Sequence, residues 1–341
     1  MGTLRFILRR FLWSLVALLG LSMLIFVISR IVPGDVARVA LGPGATESAI
    51  ANLREQMHLD EPIYSQYIWW LGNILKGDFG ISLMTSRPVL KDIQEFLPAT
   101  FELVIFAAGL QILFGILLGV LSSMYDGKLG DYVFRLFAYL GIVTPSFVFA
   151  VVFMLLFGYL WPVLPVIGRL SESITVSNAN GFVTWRSFFS GEFEVWWDSV
   201  QHLLAPAIAL SLSGMAQLAR ITRSSLVNVL SNEYISMEKA QGISFKKIFF
   251  KYALRPALIP GVSVMAMQFA SLFSNAFLIE LIFNWPGFSR YAVQGMLFKD
   301  LNVISAVVCV LGAIFIFANI LCDIIVSLLD PRVRLTVGGT E

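Results

Sequence analysis

The chain has 341 residues, of which 57% are hydrophobic and only 13% charged, where a soluble domain carries about 25% charged side chains. With a mean hydropathy of +0.80, this composition excludes a soluble globular protein and describes one integral membrane domain spanning residues 1–341. The net charge of +2 is too small for a nucleic-acid surface. The two cysteines (Cys309, Cys322) and two histidines (His58, His202) lack the spacing of a metal site or a disulfide framework.

Arg5, Arg9 and Arg10 precede an apolar run that begins at Phe11 and ends near residue 32. The run exceeds the usual signal-peptide core of about 7–15 residues, and no small-residue cleavage site follows, so it is read as a retained first span. A bilayer core of about 30 Å needs roughly 20 apolar residues of helix. Six runs qualify, at about 10–32, 99–124, 132–160, 203–229, 252–283 and 301–329. All should be helical, because lipid offers no partner to an open backbone. Pro145 should kink the third span, since its ring removes one backbone hydrogen bond. Pro256 and Pro260 break the start of the fifth and allow it to begin in the cytosol.

Two long segments lie outside. Residues 33–98 open with turn signals (Pro33-Gly34-Asp35, Gly42-Pro43-Gly44) and predict short amphipathic helices around 46–57 and 62–75. Residues 161–202 are rich in Ser, Asn, Gly and Trp without a clear period, so aromatics order that segment or nothing does. With the N-terminus inside, the cytosolic pieces carry fourteen of the 24 basic residues, among them Arg220, Arg223, Lys239, Lys246, Lys247 and Lys251. The bias places both termini in the cytosol.

The cytosolic segment 231–247 between spans four and five is the most informative stretch. Asn232 is a suitable N-cap, Glu233 lies in the first turn where the helix dipole favours an anion, and Gly242 is placed to end the helix in a left-handed cap. Tyr234 and Met237 share a face by i, i+3 spacing. The pattern describes a helix of two to three turns, too short to span. Such a helix can insert into a partner's groove; an ordinary basic loop obeying the charge bias is the plainer reading of the spacing.

Glu233-Tyr234-Ile235 followed by Ala240-Gln241-Gly242-Ile243-Ser244 resembles the coupling loop of bacterial ABC-importer permeases, more narrowly the first permease of the dipeptide/oligopeptide class. Other motifs follow in family order over nearly the whole chain: Arg9-Arg10, Arg30-Ile31-Val32-Pro33-Gly34-Asp35, Gly77-Asp78-Phe79-Gly80-Ile81-Ser82, Arg87-Pro88-Val89, Leu97-Pro98-Ala99-Thr100-Phe101-Glu102-Leu103, Thr144-Pro145-Ser146-Phe147, Leu254-Arg255-Pro256-Ala257-Leu258-Ile259-Pro260, Trp285-Pro286-Gly287 and Leu329-Asp330-Pro331-Arg332-Val333-Arg334. The coupling segment departs from the family at Ser236-Met237-Glu238-Lys239 and at Gln241, which implies a cognate ATPase groove that accepts Glu238.

The resemblance implies an all-α fold of six transmembrane helices, the type I importer arrangement, in a bacterial plasma membrane. It implies a non-catalytic subunit that pairs with a second homologous permease and two P-loop ATPases and receives cargo from an extracytoplasmic binding protein. Glu233, Tyr234, Met237, Glu238, Ala240, Gly242 and Ile243 would seat on one ATPase. No cofactor is expected on this chain, with ATP and Mg held by the ATPases; membrane lipid is its solvent and nucleic acid no partner. The absence of GxxxxGK[ST] from the sequence agrees with this division. Short peptides are the first cargo to consider, although members of this class also import oligosaccharides, metal complexes and other solutes.

Ionisable groups within spans either line a pathway or pair across helices. Glu102, Glu280 and Asp323 are such groups; Glu280, Asp323 and the kink at Pro145 are the candidate pathway or gating positions, each weighed against plain anchoring. Arg220 and Arg223 (i, i+3) are read as snorkelling or extending the fourth span towards the ATPase. Gly115 and Gly119 form a GxxxG that permits close helix packing. The rival class is an ion-gradient-driven secondary transporter, which would show internal repeats and broken helices in matching halves; a membrane-embedded enzyme would need a metal or nucleophile constellation. The sequence displays neither set of features.

Overall fold

The computed structural model describes residues 2–31, 36–41, 44–56, 58–174 and 180–329. The Pro33-Gly34-Asp35 and Gly42-Pro43 turn signals and the segment from Asp330 to Arg334 lie outside the described residues. The described chain is helical: α1 (Gly2–Ile31), α2 (Val36–Leu41), α3 (Glu47–Gln56), α4 (Ile63–Leu75), α5 (Val89–Met124), α6 (Leu129–Val143), α7 (Ser146–Leu155), α8 (Val183–Ser190), α9 (Phe193–Leu230), α10 (Glu233–Ala240), α11 (Phe245–Lys247), α12 (Leu254–Ile282), α13 (Phe288–Leu297) and α14 (Leu301–Leu329). Wide helical turns extend α7 over Leu156–Leu160 and lead into α12 over Ile248–Ala253.

Five helical stretches are long and apolar enough to cross a bilayer, and the bent pair α6–α7 makes a sixth if counted as one span. In that pair the kink expected at Pro145 in the third span (132–160) is a full break. The chain turns by 103° between Leu129–Val143 and Ser146–Leu160, and Pro145 stands at the break with extended backbone (φ −60°, ψ 144°). The ring removes the N–H that a continuous helix would use and disfavours helical backbone at Thr144 (ψ 122°). A full break is therefore the local solution.

Two other spans begin earlier than apolar content alone implies. Helix α5 starts at Val89 and α9 at Phe193, ten residues before the expected starts at 99 and 203. The added stretches carry polar groups, but Asp92 and Ser199 are fully buried against neighbouring protein. The hydropathy criterion reads these stretches as aqueous because it takes no account of protein partners. The amphipathic helices expected at 46–57 and 62–75 are α3 and α4.

Helices α5 and α9 form the central pair, and α12 packs against both. Their close approach has a local cause. A Cβ at Gly119 would stand 2.6 Å from the Ala219 carbonyl oxygen, and one at Gly115 would stand 2.9 Å from the Leu218 side chain. The GxxxG face thus admits α9 at backbone distance. The largest buried cluster joins α5, α9 and α12 through Leu103, Leu210, Phe273, Ile279, Phe283 and Trp285.

Candidate functional site

The short helix α10 projects from the turn after α9. Asn232 takes the extended backbone of an N-cap (φ −71°, ψ 148°), but its side chain makes no capping bond. At the other end Gln241 is the C-cap and Gly242 adopts φ +79°. The Gly242 amide donates to the Lys239 carbonyl at 3.0 Å and the Ile243 amide to the Glu238 carbonyl at 3.2 Å. These are the two bonds of a Schellman motif, which satisfies carbonyls the helix would otherwise leave open.

One side of α10 is anchored. Ile235 is 0% exposed and packs with Leu226, Ile248, Phe249, Ala253 and Ala257; Ile243 lies half-buried on the same cluster. The other side is open: Tyr234 is 41% and Met237 63% exposed, with Glu233 and Ala240 also at the surface and Glu238 half-buried. The Tyr234 hydroxyl reaches the Tyr252 carbonyl at 3.4 Å. The structure thus brings Glu233, Tyr234, Met237, Ala240 and Gly242 to one solvent-facing element, and turns Ile243 towards the body. Ile235, absent from the expected site, is the residue that holds this element in place. Its period relative to Tyr234 and Met237 carried that signal: it lies on the opposite face.

Two turns before the end of α9, Arg223 bridges a buried acid and an exposed one. Its Nε and Nη2 reach the two Asp131 oxygens at 2.5 and 2.7 Å, and Nη2 also reaches Asp126 at 2.6 Å. Asp131 is fully buried and accepts further bonds from Ser122 (2.9 Å) and the Gly127 amide (3.3 Å). This corrects the reading of Arg223 as a snorkelling or helix-extending residue: it ties α9 to the α5–α6 turn. Above the network a cavity of about 620 Å³ opens between α5, α6, α7 and α9, lined by Leu118, Phe134, Phe149, Met215 and Arg220. The break at Pro145 makes room for it by turning α7 away from α6.

The other candidate pathway positions have defined surroundings. Glu280 is fully buried; it receives the Thr100 hydroxyl and, at 2.9 and 3.0 Å, the Ser289 and Arg290 amides that open α13. A Cβ at Gly287 would collide with the Glu280 carboxylate, and Trp285 donates from Nε1 to the Ala99 carbonyl at 3.0 Å. The Trp285-Pro286-Gly287 motif therefore serves to seat Glu280 as a cap on the first turn of α13. The side chain of Asp323 lies outside the described residues.

The two long segments between spans are fastened by acids. Glu102, at 1% exposure, pairs with Arg169 and accepts the Thr184 amide (2.9 Å) and hydroxyl (3.0 Å) at the start of α8. Burial holds the Arg169 pKa down, while the Glu102 charge acts against that effect. The described parts of segment 161–202 are thus held by an ion pair as well as by rings such as Phe188 on Trp196. Similarly, Asp300 accepts the Ser82 hydroxyl at 2.8 Å and the Leu83 amide at 2.6 Å. Asp92 takes Arg87 at 2.5 Å and the Tyr291 hydroxyl at 3.0 Å; burial first, then the Asp92 charge, pushes the Tyr291 pKa up.

Sequence reasoning missed one constellation inside the membrane. Gln111 of α5 donates from Nε2 to Gln268 Oε1 of α12, and Gln268 Nε2 donates to Gln217 Oε1 of α9 at 2.8 Å. The available signal was an uncharged polar residue near the middle of each span.

Comparison with known proteins gives one consistent result. Residues 111–335 match the family described as binding-protein-dependent transport system inner membrane component, and residues 3–104 match its N-terminal companion. The chain is 34% identical over 331 residues to the dipeptide transport system permease protein of Alkalihalophilus pseudofirmus, covering 97% of this chain and 99% of the relative. It is 34% identical to the probable D,D-dipeptide transport system permease protein of Escherichia coli, covering 98% of each. It is also 32% identical to the glutathione transport system permease protein of Salmonella choleraesuis, covering 97% and 99%.

Proposed function

Starting from the fact that the chain belongs to the binding-protein-dependent transport system inner membrane components, we propose that it imports short peptides and is driven through α10. It is the multi-pass membrane subunit of an ATP-driven ABC importer. Half of the translocation path is formed by this chain and half by a second homologous permease. Two P-loop ATPases bind and hydrolyse ATP with Mg, and an extracytoplasmic binding protein delivers the cargo. Both termini face the cytosol, as the Lys/Arg bias requires, so α10 and the Lys246, Lys247 and Lys251 stretch face the ATPases.

The observation that carries the coupling role is the construction of α10: a helix of eight residues, anchored by Ile235 and presenting Tyr234 and Met237 outward. An apolar and aromatic knob on a rigid base fits helix-in-groove recognition. When the ATPases close on ATP, the groove moves, and the anchored helix passes that displacement to α9 and α12. The peptide assignment is supported by the relatives, which are dipeptide and D,D-dipeptide transport permeases in Alkalihalophilus pseudofirmus and Escherichia coli. Its test is uptake in vesicles: the complete importer with its binding protein should accumulate a labelled dipeptide only when ATP is inside. Uptake driven by an ion gradient without ATP overturns the reading.

A further inference from the structure

We propose that the polar face of α12, together with the Gln111–Gln268–Gln217 chain behind it, lines the cargo path and recognises the backbone amides of a peptide. The proposal rests on the importer reading above and adds to it the residues that meet the cargo.

Gln268 is the central residue of α12 (Leu254–Ile282), and Gln111 and Gln217 lie near the middle of the spans expected at 99–124 and 203–229. The three carboxamides therefore meet deep in the bilayer. Gln268 does not stand alone on its helix. Ser271 and Asn275 follow it at i+3 and i+7, with Ser274 alongside, and all three are exposed on the surface of this chain. The Ser271 hydroxyl donates to the Met267 carbonyl of its own helix at 3.4 Å, but an exposed Ser274 hydroxyl and Asn275 carboxamide are costly against lipid, which satisfies neither. Water or cargo on that face satisfies both.

The chemistry of the stripe selects its ligand. Between Arg255 and Glu280, α12 carries no charged residue. Carboxamides and hydroxyls offer both donors and acceptors at neutral charge, which matches the N–H and C=O of a peptide bond and is indifferent to the side chains beside it. The glutamine chain supports this use. Gln111 is 2% exposed and its Oε1 has no hydrogen-bond partner among the described residues, so the ladder ends inside the protein on an unpaired acceptor, and its carboxamides hold Gln268 in place behind the stripe. A Cβ at Gly214 would overlap the Gln111 carboxamide, so the glycine is what lets that side chain lie between α5 and α9.

The test places single cysteines at Ser271, Ser274 and Asn275 in a Cys309→Ala, Cys322→Ala background of the complete importer in vesicles. The probe is a membrane-impermeant cationic methanethiosulfonate reagent, with dialanine as cargo and uptake measured on the same vesicles. Labelling at these positions, lost when dialanine is presented with ATP, is the expected result. No labelling in any nucleotide state while dialanine uptake stays intact overturns the lining role and makes this face a contact with the second permease. Labelling that dialanine leaves unchanged, with uptake intact, overturns the amide recognition. Absence of dialanine uptake by the unsubstituted importer is a failure of the peptide reading itself.

Discussion

The amide of Ile243 donates to the carbonyl of Glu238 at 3.2 Å, across the turn in which Gly242 holds φ +79°. This bond ends the candidate coupling helix and turns the chain back towards the buried cluster around Ile248. The left-handed conformation costs a non-glycine residue about 1–2 kcal/mol. A Cβ there meets nothing within 4 Å, so backbone strain is the whole penalty.

Gly242→Asp should accordingly leave the protein in the membrane at ordinary levels while lowering uptake and substrate-stimulated ATPase activity. Gly242→Asn should be milder, because Asn tolerates this conformation better. Purified complexes assayed for both activities decide the point. Unaltered coupling in Gly242→Asp would sink the role given to α10.

Ile235 and Met237 should separate anchoring from docking. Ile235→Ala removes a fully buried side chain and should cost about 2–5 kcal/mol locally, seen as faster hydrogen exchange of α10. Met237→Ala trims a side chain that is 63% exposed and should leave exchange unchanged while weakening ATPase retention during detergent purification. Equal behaviour of the two variants contradicts the two-sided description of α10.

Gly119→Ala should destabilise the α5–α9 pair by about 1–3 kcal/mol, because its methyl group would meet a backbone oxygen at 2.6 Å. Gly109→Ala, on the same helix with nothing within 4 Å, should be neutral or slightly stabilising. Thermal unfolding of the two variants in one detergent tests the contrast.

Arg169→Met should loosen segment 161–202, because it leaves the Glu102 carboxylate buried with one partner fewer. Breaking a buried ion pair from one side costs about 3–5 kcal/mol. The double variant Glu102→Gln, Arg169→Met should recover part of the loss, since no uncompensated charge remains. Limited proteolysis of this segment reads both; a double variant worse than the single would argue against the pair as the fastening element.

The sequence alone determined the class of the protein, the approximate position of its spans and the limits of the short helix α10. Each rests on local physics: about 20 apolar residues cross a bilayer wherever they occur, and a glycine suited to a left-handed cap ends a helix without reference to the rest of the chain. Tertiary structure decided what the polar residues do. Glu102 and Arg169 are 67 residues apart, Thr100 and Glu280 180, and Ser82 and Asp300 218, so no spacing pattern pairs them. The same distance in sequence hid the glutamine chain, in which each member reads alone as an ordinary polar residue on an apolar helix. Pro145 shows the boundary between the two. Its ring guarantees an interruption, but the angle of 103° is set by how α6 and α7 pack against α9, which only the assembled helices specify.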